Sequence, residues 1–201
     1  LHEYFVLLNS DVEVSPNWIN PVIDLMEKDK SIAACQPKIK SLTEPTMFEY
    51  AGAAGGYIDR FGYPFCRGRI FDTVETDHGQ YNQPSEIFWA SGAAFFIKRA
   101  YWVESGGLDA DFFAHMEEID LCWRLKNKGY KIMYCPNSVV YHLGGGTLDA
   151  ENPYKTYLNF RNNLVMLQKN LPASRSAFII FIRFWLDFLS LIKYLFDGKP
   201  Q

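Results

Sequence analysis

The sequence predicts an α/β domain, a mixed sheet flanked by helices with a helical extension at its C-terminus. Three observations carry that prediction. Short apolar runs such as Tyr4–Leu8 have the look of strands. Helical periods such as Glu118, Leu121, Cys122 and Leu125 alternate with them. The length of 201 residues suits one sizeable core rather than two.

Taken in order, Tyr4–Leu8 is unbroken and apolar, the pattern of a strand covered on both faces in a parallel sheet. Asn9-Ser10-Asp11 follows at its carboxyl end, the edge where open α/β sheets bind ligands. Ser15 reads as an N-cap with Pro16 at the first helical position, and Ile19, Val22, Ile23 and Met26 form the apolar face of the next helix. Ile32–Cys35 is a second strand, ended by Pro37. From Thr46 to Ser85, Gly52, Gly55, Gly56, Gly62, Pro64, Gly68 and Gly79 interrupt every period. A long excursion with small hairpins is expected there, and segments of that length are commonly functional.

Ile87–Ile97 resumes a strand-like run broken at Ser91-Gly92, where a glycine marks close approach of a ligand or another backbone. Trp89 within it reads equally as a core aromatic or a ligand platform. Arg99–Ser105 is a short helix ending at Gly106-Gly107, and the acidic helix that follows closes at Gly129. Ile132–Tyr134 and Ser138–His142 are two short strands. Gly144-Gly145-Gly146 lacks the Lys-Ser/Thr of a phosphate-binding loop and reads as a flexible turn. Tyr154–Leu171 is a helix bearing Arg161 and Lys169.

The last helix, Ala177–Phe196, is apolar almost all round, with a polar seam of Arg183, Asp187, Ser190 and Tyr194. Its length would span a bilayer, but the arginine and aspartate argue against that. It reads as a helix in the membrane interface or packed on further sequence, with Phe181, Phe184, Trp185 and Phe188 on the buried side.

A net charge of −3 with scattered basic residues provides no electrostatic case for nucleic acid. Cys35, Cys66, Cys122 and Cys135 show no Cys-x-x-Cys pairing and read as reduced structural residues, which suits the cytoplasm. No signal peptide is visible. The chain begins without methionine, in what reads as a strand, so it is expected to be cut from a longer protein.

The centre of the chain is Phe112–Arg124, where Glu117, Glu118 and Asp120 cluster at a helix start. Glu118 heads the apolar stripe, and Glu117 and Asp120 sit off it. Burial would raise the pKa of an inward carboxylate in a first turn and the helix dipole would lower it, so Glu118 is tunable. Asp120 and Arg124, at i and i+4, read as a surface pair worth a few tenths of a kcal/mol.

Tyr4–Glu13, the acidic helix and Val139–Thr147, in that order and spacing, resemble the inverting family-2 glycosyltransferases of the GT-A fold, particularly bacterial rhamnosyl- and galactofuranosyltransferase-like members. The resemblance covers residues 1 to about 165. It implies transfer from a nucleoside-diphosphate sugar to a saccharide or lipid-linked acceptor with inversion. The implied cofactor is Mg2+ or Mn2+, and the implied setting is surface polysaccharide or lipopolysaccharide assembly at the inner face of the plasma membrane. Asn9-Ser10-Asp11 resembles the Asp-x-Asp metal motif with asparagine first. Asp11 is then a metal ligand, Asn9 a contact to ribose or metal-bound water, and His142 the second protein ligand.

Glu117-Glu118-Ile119-Asp120 resembles the family's Glu-Asp motif, whose second acid is the general base. That implies Glu118, with Asp120 and Glu117 as rivals because glutamate is one methylene longer than aspartate. Arg161 is placed at a diphosphate or an anionic lipid, with an exposed helix arginine as the alternative. Trp89, Ser91, Gly92 and the excursion are placed at the acceptor. Residues 1–150 then read as the acceptor-side part of the catalytic domain, without a preceding nucleotide-binding half, and residues 151–201 as C-terminal helices touching the membrane. Such a portion is expected to be weak or inactive alone. Two rivals share parts of this reading. A nucleotidyltransferase would use the sheet and metal without Glu118, and a non-enzymatic docking module would use only the last helix.

Overall fold

A computed structural model describes residues 2–144 and 153–196, apart from the side chain of Tyr194. Strand β1 (Tyr4–Leu8) turns through Asn9–Asp11 into β2 (Val12–Val14), followed by helix α1 (Ile19–Lys28) and β3 (Ile32–Ser41). The irregular middle holds the hairpins β4 (Gly56–Ile58) with β5 (Pro64–Cys66) and β6 (Arg69–Ile70) with β7 (Thr73–Val74). Next come β8 (Ser85–Ile87), β9 (Ala94–Lys98), α2 (Arg99–Ser105), a 3-10 turn at Ala110–Phe112 and α3 (Glu117–Asn127). The chain continues as β10 (Lys131–His142), α4 (Pro153–Asn170) and α5 (Ala173–Phe196).

The main sheet runs β1-β9-β3-β10-β2, with β8 also paired to β10. It is mixed, as predicted: β3 and β10 are parallel, and the other described pairs are antiparallel. The placement of β1 corrects the sequence reading. It pairs antiparallel with β9 at the end of the sheet, and Val6 and Leu8 are 38% and 43% exposed. An apolar run reports a preference for burial, not the direction of its partner.

Two further expectations change for one reason. β3 continues through Pro37 to Ser41, and the two expected strands opposite it are the single strand β10. Pro37 stands opposite Cys135, where the register shifts between Cys135 and Val139. A bulge tolerates the irregular pairing that proline imposes. Ser138 Oγ donates to Trp18 O at 2.5 Å, tying that bulge to the start of α1. Helix α1 itself begins at Ile19 rather than Pro16, because Asn17 is left-handed (φ 59°) and Trp18 N–H closes a turn on Ser15 O.

The helix ends follow local chemistry: α2 stops at left-handed Gly106 and α3 just before left-handed Gly129. Helix α3 buries Leu121, Cys122 and Leu125 in the same core as Phe95, Ile97, Ile132 and Tyr134 of the sheet. Each such apolar side chain contributes about 1.5–3 kcal/mol. All four cysteines are free and buried.

Helix α5 is inverted relative to an ordinary surface helix. Arg183 is 1% exposed. It donates to Phe61 O at 3.2 Å, to Asn163 Oδ1 and to Asp187 Oδ1 at 3.2 Å, and lies 3.6 Å from the Tyr63 ring centroid. Tyr63 Oη donates to Asp187 Oδ1 at 2.7 Å. Arg183 and Asp187 of the polar seam therefore face the domain. Phe181, Phe184, Trp185 and Phe188, expected to be buried by a membrane interface or by further sequence, are 46–65% exposed on the side of α5 turned away from the domain.

Candidate active site

The turn after β1 is held on both sides. Asn9 N–H donates to Ala93 O at 3.1 Å, and Leu143 N–H donates to Asp11 O at 3.1 Å. Pairing of β2 with β10 sets His142 opposite Val12. In consequence His142 Nε2 lies 3.3 Å from Asp11 Oδ1 and 3.4 Å from Asn9 Nδ2. Three residues from opposite ends of the domain meet at one point.

A fourth group there was missed in the sequence. Glu49 Oε1 lies 3.4 Å from His142 Nδ1, while Glu49 Oε2 accepts from Ala51 N–H at 2.5 Å. Burial alone would lower the His142 pKa, but the carboxylates of Glu49 and then Asp11 outweigh it and raise the value. Glu49 reaches this position because its N–H bonds Ile39 O, alongside the end of β3. Nothing in Met47-Phe48-Glu49-Tyr50 marks it locally.

The donors suit a divalent cation. A carboxylate oxygen of Asp11 and the Nε2 of His142 converge, and a carboxylate on the opposite ring nitrogen is the arrangement that orients a metal-binding imidazole. Asp11 and Glu49 flank different ring nitrogens, and among the described residues no three His, Cys, Asp or Glu side chains surround one point. Asp11 and His142 would therefore supply two ligands, leaving the other positions to substrate oxygens and water, as Mg2+ commonly has them. A cleft of about 760 Å³ opens beside them, lined in part by Glu49, Tyr50, Asp72, His142, Lys155 and Asn159.

The acidic helix is entered through strain. Met116 is its N-cap with no side-chain cap bond, and Phe113, His115 and Met116 have φ of 63°, 69° and 75°. Left-handed backbone costs a non-glycine residue about 1–2 kcal/mol. It is held by the buried Asn162 on α4, whose Nδ2 donates to Phe112 O, Ala114 O and His115 O at 2.8–2.9 Å. Just beyond, His115 Nε2, Glu117 Oε2 and Glu118 Oε2 are buried without hydrogen-bond partners.

Burial, followed by the charge of Glu117, pushes the Glu118 carboxyl up to about 8, while the N–H groups of Glu118, Ile119 and Gly92 act in the other direction. Burial likewise raises Glu117. Gly92 neighbours Ala93, whose carbonyl holds Asn9. The 91–93 turn thus touches both the Asn9-Asp11 side and Glu118.

Other expected site residues stand apart. Asp120 is fully buried, not a surface acid, and accepts from Arg124 Nε (2.8 Å), Lys169 Nζ (3.1 Å) and Asn170 Nδ2 (2.8 Å). Reading α3 against the sheet alone left out α4 on its other side. Trp89 is a core aromatic: its Nε1–H donates to Tyr57 O at 2.8 Å, and a Cβ on Gly56 would come within 2.1 Å of its ring. Ser91 is buried, its Oγ donating to Ala51 O at 2.8 Å and its N–H to Gln36 Oε1 at 2.9 Å.

A Cβ on Gly92 would meet no protein atom within 4 Å. Arg161 donates to Asp111 O at 3.0 Å and to Asn162 Oδ1 at 3.1 Å, bracing the loop before α3. Gly145 and Gly146 of the expected glycine turn, and Thr147, lie outside the described residues.

No protein-family model matches the chain. It is 25% identical over 145 residues to the N-acetylglucosaminyl-diphospho-decaprenol L-rhamnosyltransferase of Mycobacterium tuberculosis, an alignment covering 70% of this chain and 47% of that protein. It is 23% identical over 210 residues to a low-salt glycan biosynthesis hexosyltransferase of Haloferax volcanii, covering 99% of this chain and 62% of that one. The chain therefore spans between 47% and 62% of the length of these curated relatives. Among solved structures, GalNAc-T7 crystallised with UDP, GalNAc and Mn2+ matches with a TM-score of 0.59 at 19% identity, over 83% of this chain and 31% of that one. In fold the chain matches a GT-A glycosyltransferase structure, and in sequence it is similar to two curated glycosyltransferases.

Proposed function

We propose that this chain carries the acceptor-side portion of a metal-dependent inverting glycosyltransferase, which moves a sugar from a nucleoside diphosphate to a saccharide or lipid-linked acceptor. The observation that carries the reading is the joint placement of Asn9, Asp11 and His142 on one side of the 91–93 turn and Glu118 on the other. Asp11 and His142 would hold Mg2+ or Mn2+, which when bound neutralises the departing diphosphate. Asn9 stands where its amide can meet a ribose hydroxyl or a bound water.

Glu118 is the base. Its partnerless Oε2 takes the proton of an acceptor hydroxyl, and its raised pKa makes it a strong proton acceptor once ionised. As the acceptor oxygen, its proton passing to Glu118, bonds to the anomeric carbon, the bond to the diphosphate breaks and its electron pair leaves with the diphosphate. One displacement inverts the centre. Asp120, with both oxygens engaged, is assigned to holding α3 on α4, and Glu117 to raising Glu118.

A lipid-linked acceptor is supported by the decaprenol diphosphate in the name of the mycobacterial relative. It is also supported by the outward aromatics of α5, which suit peripheral contact with the inner face of the plasma membrane. No helix of the described residues is long and apolar enough to cross a membrane. Surface polysaccharide or lipopolysaccharide assembly is the proposed setting. The test is nucleoside-diphosphate release by the full-length chain from a panel of nucleotide sugars with Mn2+ and lipid-linked acceptors. Turnover of one donor, lost in Asp11→Ala and in Glu118→Gln, is expected. Transfer that survives Glu118→Gln would remove the base from this reading.

A further inference from the structure

Helix α3 starts without the Ser, Thr, Asp or Asn that ordinarily caps a helix. In place of a cap, the chain passes through three residues of positive φ, none of them glycine, in the four positions before Glu117. Such a path persists only where its surroundings over-determine it. Beside the turn bonds Phe113 N–H to Ala110 O and Ala114 N–H to Phe112 O, the main brace is one side chain. Asn162 is 1% exposed and has two N–H bonds to share among three carbonyls, those of Phe112, Ala114 and His115. Its own Oδ1 is fixed by Arg161, which also holds Asp111 O.

We infer that Asn162 is the positioning residue for the base, clamping the Phe112–His115 carbonyls so that the positive-φ turn places Glu118 against the 91–93 turn. The inference rests on the reading of Glu118 as base, and the geometry bears it further. Without the amide donors the carbonyls of Ala114 and His115 lose their Asn162 bonds, Phe112 O keeps only the Ala114 N–H (2.7 Å), and the loop relaxes towards ordinary right-handed backbone. The first turn of α3 would then rotate, and Glu118 would meet water instead of the interior that leaves its Oε2 unpartnered.

Asn162→Asp tests this, since it keeps the shape and replaces the donor with an acceptor facing three carbonyl oxygens. In the full-length chain we expect kcat to fall roughly tenfold to a hundredfold with KM for the donor unchanged. In the same variant the Glu118 carboxyl, followed by 13C NMR with labelled glutamate, titrates lower, towards the ordinary carboxylate range. Asn127→Ala, which removes a different bond between α3 and α4 (Asn127 Nδ2 to Asn170 O, 3.0 Å), is expected to leave both readouts in place.

Wild-type kcat and an unmoved Glu118 titration in Asn162→Asp overturn the clamp, and so does an equal loss in Asn127→Ala. Should Asn162→Asp not fold, Asn162→Ser, with one donor instead of two, is read in its place with the same outcomes. If transfer survives Glu118→Gln while the titration still moves in Asn162→Asp, the base reading fails and the clamp on Glu118 stands.

Discussion

Glu49 Oε1 sits 3.4 Å from Nδ1 of His142, on the side of the ring opposite the 3.3 Å contact between Nε2 and Asp11. A carboxylate therefore stands beside each ring nitrogen. Loss of a carboxylate that orients a metal-binding histidine typically weakens metal affinity by about 10–100-fold. Glu49→Gln is expected to weaken Mn2+ binding by that factor, and Asp11→Ala to abolish it, in calorimetric titration. Equal affinity in Glu49→Gln and wild type would reduce Glu49 to a spectator.

Glu118 makes stability depend on pH in a direction unusual for a carboxylate. Its pKa is raised above the ordinary 4.5 to about 8 by burial first and Glu117 second, so folding favours the protonated form. The stability it contributes is complete below about pH 4.5 and is lost as pH rises towards about 8. Glu118→Gln should therefore melt higher than wild type. The gain should be small near pH 4.5, grow to about pH 8 and stay level above it. Each kcal/mol regained corresponds to roughly 2–4 °C in a chain of this size. A melting difference that does not change across this range would mean that Glu118 is not held protonated.

Catalytic pH dependence follows from the same group. A base must be ionised, so kcat/KM should rise with pH towards a plateau reached only on the alkaline side of neutrality. A plateau already complete at pH 6 would point to a carboxylate with an ordinary pKa.

Asp120 is expected to matter for stability. Removing one partner of a buried ion pair costs about 3–5 kcal/mol, and Asp120→Ala should approach the lower end because Arg124 and Lys169 keep some exposure. Urea unfolding measures this directly. If Asp120→Asn folds normally yet abolishes transfer, the base assignment moves from Glu118 to Asp120.

Helix α5 presents its aromatics outward, so Phe184→Asp with Trp185→Asp should leave the melting temperature nearly unchanged and abolish co-sedimentation with anionic vesicles. Arg183→Leu should do the reverse, loosening α5 from Tyr63 and Asn163. Vesicle binding that persists in the double aspartate variant would place the membrane contact elsewhere.

Sequence alone was enough for whatever depends on near neighbours in the chain. Periodicity turned Glu118 inward with Leu121, Cys122 and Leu125, glycines ended α2 and α3, and motif order put Asn9, Asp11 and His142 in one list before the sheet brought them within 3.4 Å. Contacts between distant segments leave no such local trace, and only the tertiary structure decided them. The direction of β1 depended on β9, and the burial of Asp120 on α4. Glu49 became a partner of His142 through the end of β3, and Asn162 reached the loop before α3 through a side chain that reads locally as one more polar residue on a helix. For α5 the sequence reading put the aromatics on the side buried in a membrane or by further sequence, and it left open what the polar seam would meet. Tyr63, Asn163 and Phe61 settled it, because a buried guanidinium must be hydrogen-bonded on every side it can be, whereas exposed aromatics carry no such obligation.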